Sequence, residues 1–410
     1  MIETTTAIAS LKYSWDAVRD QFDLAGDCIH LGASQFIASH PRPVREAIER
    51  HRQALEHNPV LYVEENEDRL MQAVREAAAD YLRADDPNEF ALTDSTTLGL
   101  GLLYAGLPLK PGDEILYTDH QHSSHLEAIR GAVERSGVSR RKVELYEESA
   151  AGVDADALVD TVIAAIGRQT RAVAVTWVQS DTGLKFPVGR LGERLARLNE
   201  GRDRDKRVRL CVDGVHGFGI EIETLADLRC DFFAAGMHKW LYGPRGTGLL
   251  WGRMSEWREM IRVIPSFTEV MDAYSEDKPL PPMDGRQFTP GGFHSLEHRW
   301  AAAQAFEFAE QVGRKRIATR VHELNRQCKE GLAAMSHVTL HTPMSDELSA
   351  GITAFEVRGI SSKEAKESLQ KKGIVATVAP YPTAYLRFTP GIINTPDEVE
   401  AGLAAIRELA

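Results

Sequence analysis

From about residue 65 to residue 255 the chain repeats one pattern: a short apolar run, then an amphipathic stretch with helical spacing. The runs are "EFALTDS", "DEILYTD", "KVELYE", "RAVAVTWV", "VRLCVDG", "DFFAAGM" and "GTGLLWG". Between them, "SSHLEAIRGAVERSG", "DADALVDTVIAAIG" and "VGRLGERLARLNEG" place apolar residues three and four apart, so each reads as a helix with one buried face. Near-continuously apolar strands alternating with helices need cover above and below. The pattern therefore predicts an α/β fold with a mostly parallel sheet between helical layers. Gly137 and Gly201 stand where two of these helices can close in the left-handed conformation.

The pattern stops at 265–295, where Pro265, Pro279, Pro281, Pro282 and Pro290 mark a crossing between domains. One long helix is expected over roughly 296–335. Strands in "AGITAFEVRG", "IVATVAP" and "AYLRFTP" then alternate with helices in "SSKEAKESLQKKG" and "TPDEVEAGLAAIREL", which predicts a small α+β domain. The expected division is 1–44 as an N-terminal segment packing on the small domain, 45–280 as the large domain and 281–410 as the small one. A net charge of −12 argues against an intrinsic nucleic-acid surface. No run of about 18 apolar residues offers a membrane span. "MIETTTAIASLKYSWDAVRD" lacks the basic and apolar regions of a secretion signal. Four cysteines without CxxC spacing fit a reducing compartment, so the cytoplasm is expected.

Ligands of open α/β sheets bind beyond the carboxyl ends of the strands. Read there, the first run ends in Asp94, Ser95, Thr96 and Thr97 before a helix, a set of hydroxyls and free amides suited to phosphate and equally to a plain helix cap. The second ends in Asp119 and His120, with His122 and His125 beyond. A later run ends in Ser180 and Asp181, another in Asp213 with His216 following, and another in His238 and Lys239. Lys239 lies between "CDFFAAGM" and "GTGLLW", two segments that read as buried, so its pKa should fall toward that of a nucleophilic amine. One acid, one lysine, a phosphate cradle and a flat histidine together fit pyridoxal 5′-phosphate. The acid would keep the pyridine nitrogen protonated, and the lysine would hold the aldehyde as a Schiff base and then serve as general base.

"VDGVHGFG" followed by "AAGMHKWLYGPRGTGLLWGR" resembles the class V aminotransferase family of fold-type I pyridoxal-phosphate enzymes, in its isopenicillin N epimerase-like and cysteine desulfurase-like subgroup. "TDSTTLGLGLL" and "YLRFTPGIINTPDEVEAGL" extend the resemblance over almost the whole chain. It implies Lys239 as the Schiff-base residue, Asp213 on the pyridinium and His120 stacked on the ring. It implies Thr96, with Ser95, Thr97 and His238, on the phosphate, and Ser180 and His216 near the phenolic oxygen. Arg387 would clamp the α-carboxylate of an amino-acid-like substrate, with Tyr385 and Thr389 on its face of the strand and Ala384, Leu386 and Phe388 on the other. A homodimer with the site at its interface is implied too, "FTPGGFHS" crossing to the partner.

Departures from the family pattern narrow the chemistry. Gly236 stands where many relatives have Ser or Thr. "FTPGGFHSLEH" lacks the usual Gly-Thr pair, leaving Thr289 or the amide of Gly292 to substitute. "KKGIVATVAPYPTAYLR" has no cysteine where desulfurases carry theirs, and Cys328 lies well upstream, so desulfuration through a persulfide is not expected. Transamination or epimerisation at Cα leads, with β-elimination or oxygen-using oxidative deamination as alternatives. A distant alternative is a metal-dependent hydrolase built on His120, His122 and His125 of "DHQHSSH". The stretch "GPRGTG" follows Lys239 instead of opening a first βα turn, so a dinucleotide site is not expected.

Overall fold

A computed structural model describes residues 14–32, 36–147 and 149–409. The first 13 residues, part of the expected N-terminal segment and of the stretch read for a secretion signal, lie outside the described residues.

Among the described residues, three sheets organise the chain. Seven strands form the large one: β2 (Phe90–Thr93), β3 (Glu114–Thr118), β4 (Ser139–Val143), β5 (Thr170–Thr176), β6 (Arg209–Asp213), β7 (Phe232–Gly236) and β8 (Gly248–Gly252), preceded in the chain by β1 (Ile29–His30). Their order is β2-β8-β7-β6-β5-β3-β4. The run from β4 to β7 is parallel, and β8 alone is antiparallel to both its neighbours. β5 to β8 read as apolar because helices cover both faces. β4 is the exception. It pairs at 139–143, overlapping the expected apolar "KVELYE" only at Lys142 and Val143, because it is an edge strand whose Ser139, Arg140, Arg141 and Lys142 face water.

β9 (Val338–Leu340), β10 (Thr353–Val357), β12 (Thr377–Val378) and β13 (Leu386–Phe388) make an antiparallel sheet, in the order β12-β13-β10-β9. β11 (Ile374–Val375) pairs instead with β1, so the expected single strand "IVATVAP" is split between two sheets. A separate apolar core, including Leu31, Cys328, Phe355, Leu369, Phe388 and Leu403, lies under these strands.

The long helix expected over 296–335 is three helices. Leu296–Trp300 and Ala302–Val312 pack on Arg42–His57 and Pro59–Leu82, within the large-sheet core; Arg314–Ala333 packs on the small sheet and on Pro396–Arg407. The break falls at Gly313, whose φ of 96° lies in the region that favours glycine. The expected boundary at 281 therefore precedes two helices that belong with the large sheet. Likewise, residues 14–44 touch both cores: Leu31 enters the small one, whereas Phe22 packs on Tyr242 and Phe308. Gly137 caps its helix in the left-handed conformation, at φ 66°. Gly201 does not: that helix ends at Asn199, with Glu200 still right-handed. Among the described residues no helix is long and apolar enough to cross a membrane.

Candidate active site

The carboxyl ends of β2, β5, β6 and β7 open into one cavity of about 110 Å³. Ser95, Thr96 and Thr97, Thr176, Ser180, Asp213, His216, His238 and Lys239 line it, joined by His122 and Ser124. Asp213 is the last residue of β6, and its Oδ1 accepts from the amide of Val215 at 3.1 Å. Burial raises its pKa to about 6, against the pull of that amide and of Lys239. Burial pulls Lys239 down to about 8; Asp213 opposes this and Arg387 adds to it. At neutral pH that enlarges the uncharged amine fraction by about two orders of magnitude over an ordinary lysine. Its Nζ lies 3.1 Å from His216 Nε2.

One corner of the cavity is built for an anion. Ser95 caps the helix Thr96–Gly106, its Oγ accepting from the Leu98 amide at 3.1 Å, and the helix presents its N-terminal amides. Thr96 Oγ1 and His238 Nδ1 are buried there without a hydrogen-bond partner. Such atoms are costly unless something polar meets them, and a phosphate oxygen would. The glycine at 236 follows from the same crowding: a Cβ would come within 2.9 Å of the His238 ring and 3.1 Å of Thr96 Oγ1. These residues fit the phosphate, and Asp213 fits the ring nitrogen, of pyridoxal 5′-phosphate.

His120, the histidine expected on the ring, does not line the cavity. His120 takes a left-handed φ of 60°, stacks on Tyr146 with ring centroids 4.8 Å apart, and places Nδ1 2.5 Å from Asp181 Oδ2, outside the cavity lining. Burial alone would lower its pKa, but Asp181 and Asp119 outweigh that and raise it. The imidazole that lines the cavity is His122, the N-cap of Ser123–Ser136, steered by the Ser124 amide at 3.2 Å from its Nδ1. His125 is buried with Nε2 2.8 Å from the Tyr104 hydroxyl. The three imidazoles thus diverge, which overturns the hydrolase alternative. Among the described residues no group of three His, Cys, Asp or Glu side chains is placed to hold a metal ion.

Thr289 and Gly292 are not in this cavity. The Thr289 hydroxyl accepts from the Leu92 amide at 3.0 Å and fastens β2. Arg387 is buried directly behind the cavity. Its guanidinium donates to the carbonyls of Ser180 and, at 3.0 Å, Val378, and to Thr377 Oγ1 at 3.2 Å, which leaves one N–H on each terminal nitrogen. Of its expected strand companions, Leu386 and Phe388 enter the core, Tyr385 stacks on His341, and Ala384 is exposed. Tyr381, which periodicity could not single out, puts its hydroxyl 2.6 Å from Ser180 Oγ and its ring roughly perpendicular to that of His122, with centroids 6.4 Å apart.

The aminotransferase class V family model matches residues 38–383. The chain belongs to that family. Class V enzymes use pyridoxal 5′-phosphate, and this chain is such an enzyme. Among curated class V relatives it is 28% identical to isopenicillin N epimerase of Streptomyces clavuligerus, over 88% of this chain and 89% of that one. It is 26% identical to a probable cysteine desulfurase of Pseudomonas aeruginosa, over 82% of each chain. In fold it is similar to a C-DES mutant with glycine covalently linked to the PLP cofactor, at TM-score 0.84 and 20% identity, covering 95% of this chain and 99% of that one.

Proposed function

We propose that this enzyme epimerises an α-amino acid at Cα. Bound in the cavity, pyridoxal 5′-phosphate supplies an electron sink for negative charge at the substrate carbon. Thr96, His238 and the amides of Thr96–Gly106 hold its phosphate, Asp213 its ring nitrogen and Lys239 its aldehyde carbon, while His122 covers the ring. Ser180 and His216 face the phenolic oxygen. Arg387 turns its two spare N–H groups to the substrate carboxylate.

One observation carries the choice of epimerisation: Lys239 lines the cavity, and Tyr381 approaches its edge from the connection between β12 and β13, with its hydroxyl 2.6 Å from the Oγ of the lining residue Ser180. Lys239, lowered to about 8, accepts a proton readily near neutral pH. Tyr381, its hydroxyl held by Ser180 and its pKa raised by burial, is protonated at neutral pH and can return a proton. Such a pair serves inversion, the base taking the Cα proton and the acid returning one. Persulfide chemistry lacks its nucleophile, because Cys28, Cys211, Cys230 and Cys328 all lie outside the cavity lining.

The test is Cα exchange in deuterium oxide with each enantiomer of a panel of amino acids, with the products identified. The wild-type enzyme should interconvert enantiomers with deuterium at Cα. Tyr381→Phe should lose interconversion by about a hundredfold while still exchanging one enantiomer with retention. A keto acid, or loss of a β-substituent, as main product would sink the epimerase reading.

We further infer a homodimer in the cytoplasm. The segment 261–293 exposes Ile261, Phe267, Met271, Tyr274 and Phe293, with Phe267 and Phe293 in edge contact, an apolar surface that a second copy would cover. Thr289 and Gly292 belong to this segment, so any reach they have toward a phosphate would be toward the partner's.

A further inference from the structure

Trp240 follows Lys239 in the chain but turns its indole the other way, into the core. Its Nε1–H donates to His216 Nδ1 at 3.3 Å, and the opposite ring nitrogen of that histidine lies 3.1 Å from Lys239 Nζ. Trp240 is 1% exposed and His216 2%, so water does not substitute for the indole at Nδ1. An indole can only donate, so Nδ1 must be bare. Burial, with Lys239 and Arg387 nearby, holds His216 neutral. A neutral ring with a bare Nδ1 carries its proton on Nε2, and Nε2–H points at the lysine.

That N–H needs a lone pair. An uncharged amine has one; an ammonium has none and would oppose N–H to N–H. We propose that Trp240 is a positioning residue which, by fixing the tautomer of His216, selects the uncharged, nucleophilic form of Lys239. The inference rests on Lys239 being the residue that attaches the cofactor. The other groups bearing on the lysine are Asp213 from β6, Arg387 from β13, His122 from the helix Ser123–Ser136 and its neighbour His238. All of them stay in place when the indole alone is changed. Without it, the His216 proton can move to Nδ1, leaving Nε2 to accept from an ammonium and raising the pKa of Lys239.

The experiment follows covalent attachment of pyridoxal 5′-phosphate to the cofactor-free full chain by absorbance, from pH 6 to 10. In Trp240→Phe the midpoint of the pH profile should move upward by about one pH unit, a tenfold loss of the reactive amine on the acid side. In a His216→Phe background, Trp240→Phe should add no further shift. ¹⁵N spectra of the wild-type histidines need no variant and should show His216 as the Nε2–H tautomer across this range. An unmoved midpoint in folded Trp240→Phe, additive shifts in the double variant, or an Nδ1–H tautomer would each overturn the proposal. Failure of the wild-type protein to attach the cofactor at all would instead remove the functional reading, and this inference with it.

Discussion

Burial pulls Lys239 and Lys329 down to the same pKa of about 8, yet the two stand in opposite surroundings. Lys329, on Arg314–Ala333 in the small domain, is wholly buried, and its three N–H groups go to the carbonyls of Pro343 and Met344 and to Ser349 Oγ, at 3.2, 3.0 and 2.6 Å. Lys239 lines a cavity, has a neutral imidazole as neighbour, and looks across at a carboxylate whose own pKa is raised. A lysine saturated with acceptors is a strut that ties a loop to a helix. One left with an imidazole and open space is free to meet a ligand. A displaced pKa marks both and separates neither; the number and kind of partners do.

Substituting each lysine should pull the two apart. Lys239→Ala should abolish covalent cofactor attachment and reduce turnover by at least about a thousandfold, with the unfolding midpoint little changed. Full turnover by that variant would break the contrast at its reactive end. Arg387→Lys keeps a charge near Lys239 but loses the planar fork. It should weaken α-amino acids by about 1.5–3 kcal/mol, roughly ten- to a hundredfold, and leave the decarboxylated amines almost unaffected. Spectral titration with both ligands reads this difference, and equal losses would make Arg387 a second strut, holding Ser180 and Val378. Lys329→Met should act in the reverse sense. It removes the donor from the buried Pro343 carbonyl and Ser349 hydroxyl and from the part-buried Met344 carbonyl, and should cost about 1–3 kcal/mol of stability by denaturant unfolding. The pH profile of cofactor attachment should stay where it was, and a shifted profile would show that Lys329 communicates with the cavity.

The parallel sheet was legible because strands covered on both faces leave an unbroken apolar record, and the strand ends then brought Asp213, Lys239, Thr96 and Ser180 together. Elsewhere that record is missing. β4 wets both faces over its first four residues, so its charged residues read as a loop. The helix pattern runs through Gly313 because apolar spacing continues on both sides while the core it serves changes. The shift from His120 to His122 lies below the resolution of any pattern. Both follow the same strand, and only the turn through Asp119–Gln121, with His120 at positive φ, decides which imidazole reaches the cavity. Tyr381 carried no signal at all, since it belongs to an irregular connection between β12 and β13.

The pairing of β1 with β11 has a consequence for how the chain is made. Leu31 accepts from the Thr389 hydroxyl and His30 from the Asn394 amide, across 358 and 364 positions of sequence. At synthesis rates of about 5–20 residues per second, the N-terminal strand waits roughly 20–70 seconds for the residues that complete it. The large sheet, closed locally by neighbouring βα units, can form during that interval. The small domain is then a late event, in which an early-made strand waits for partners made long after it and its unpaired edge stays open to wrong partners until residues 374–394 have been made.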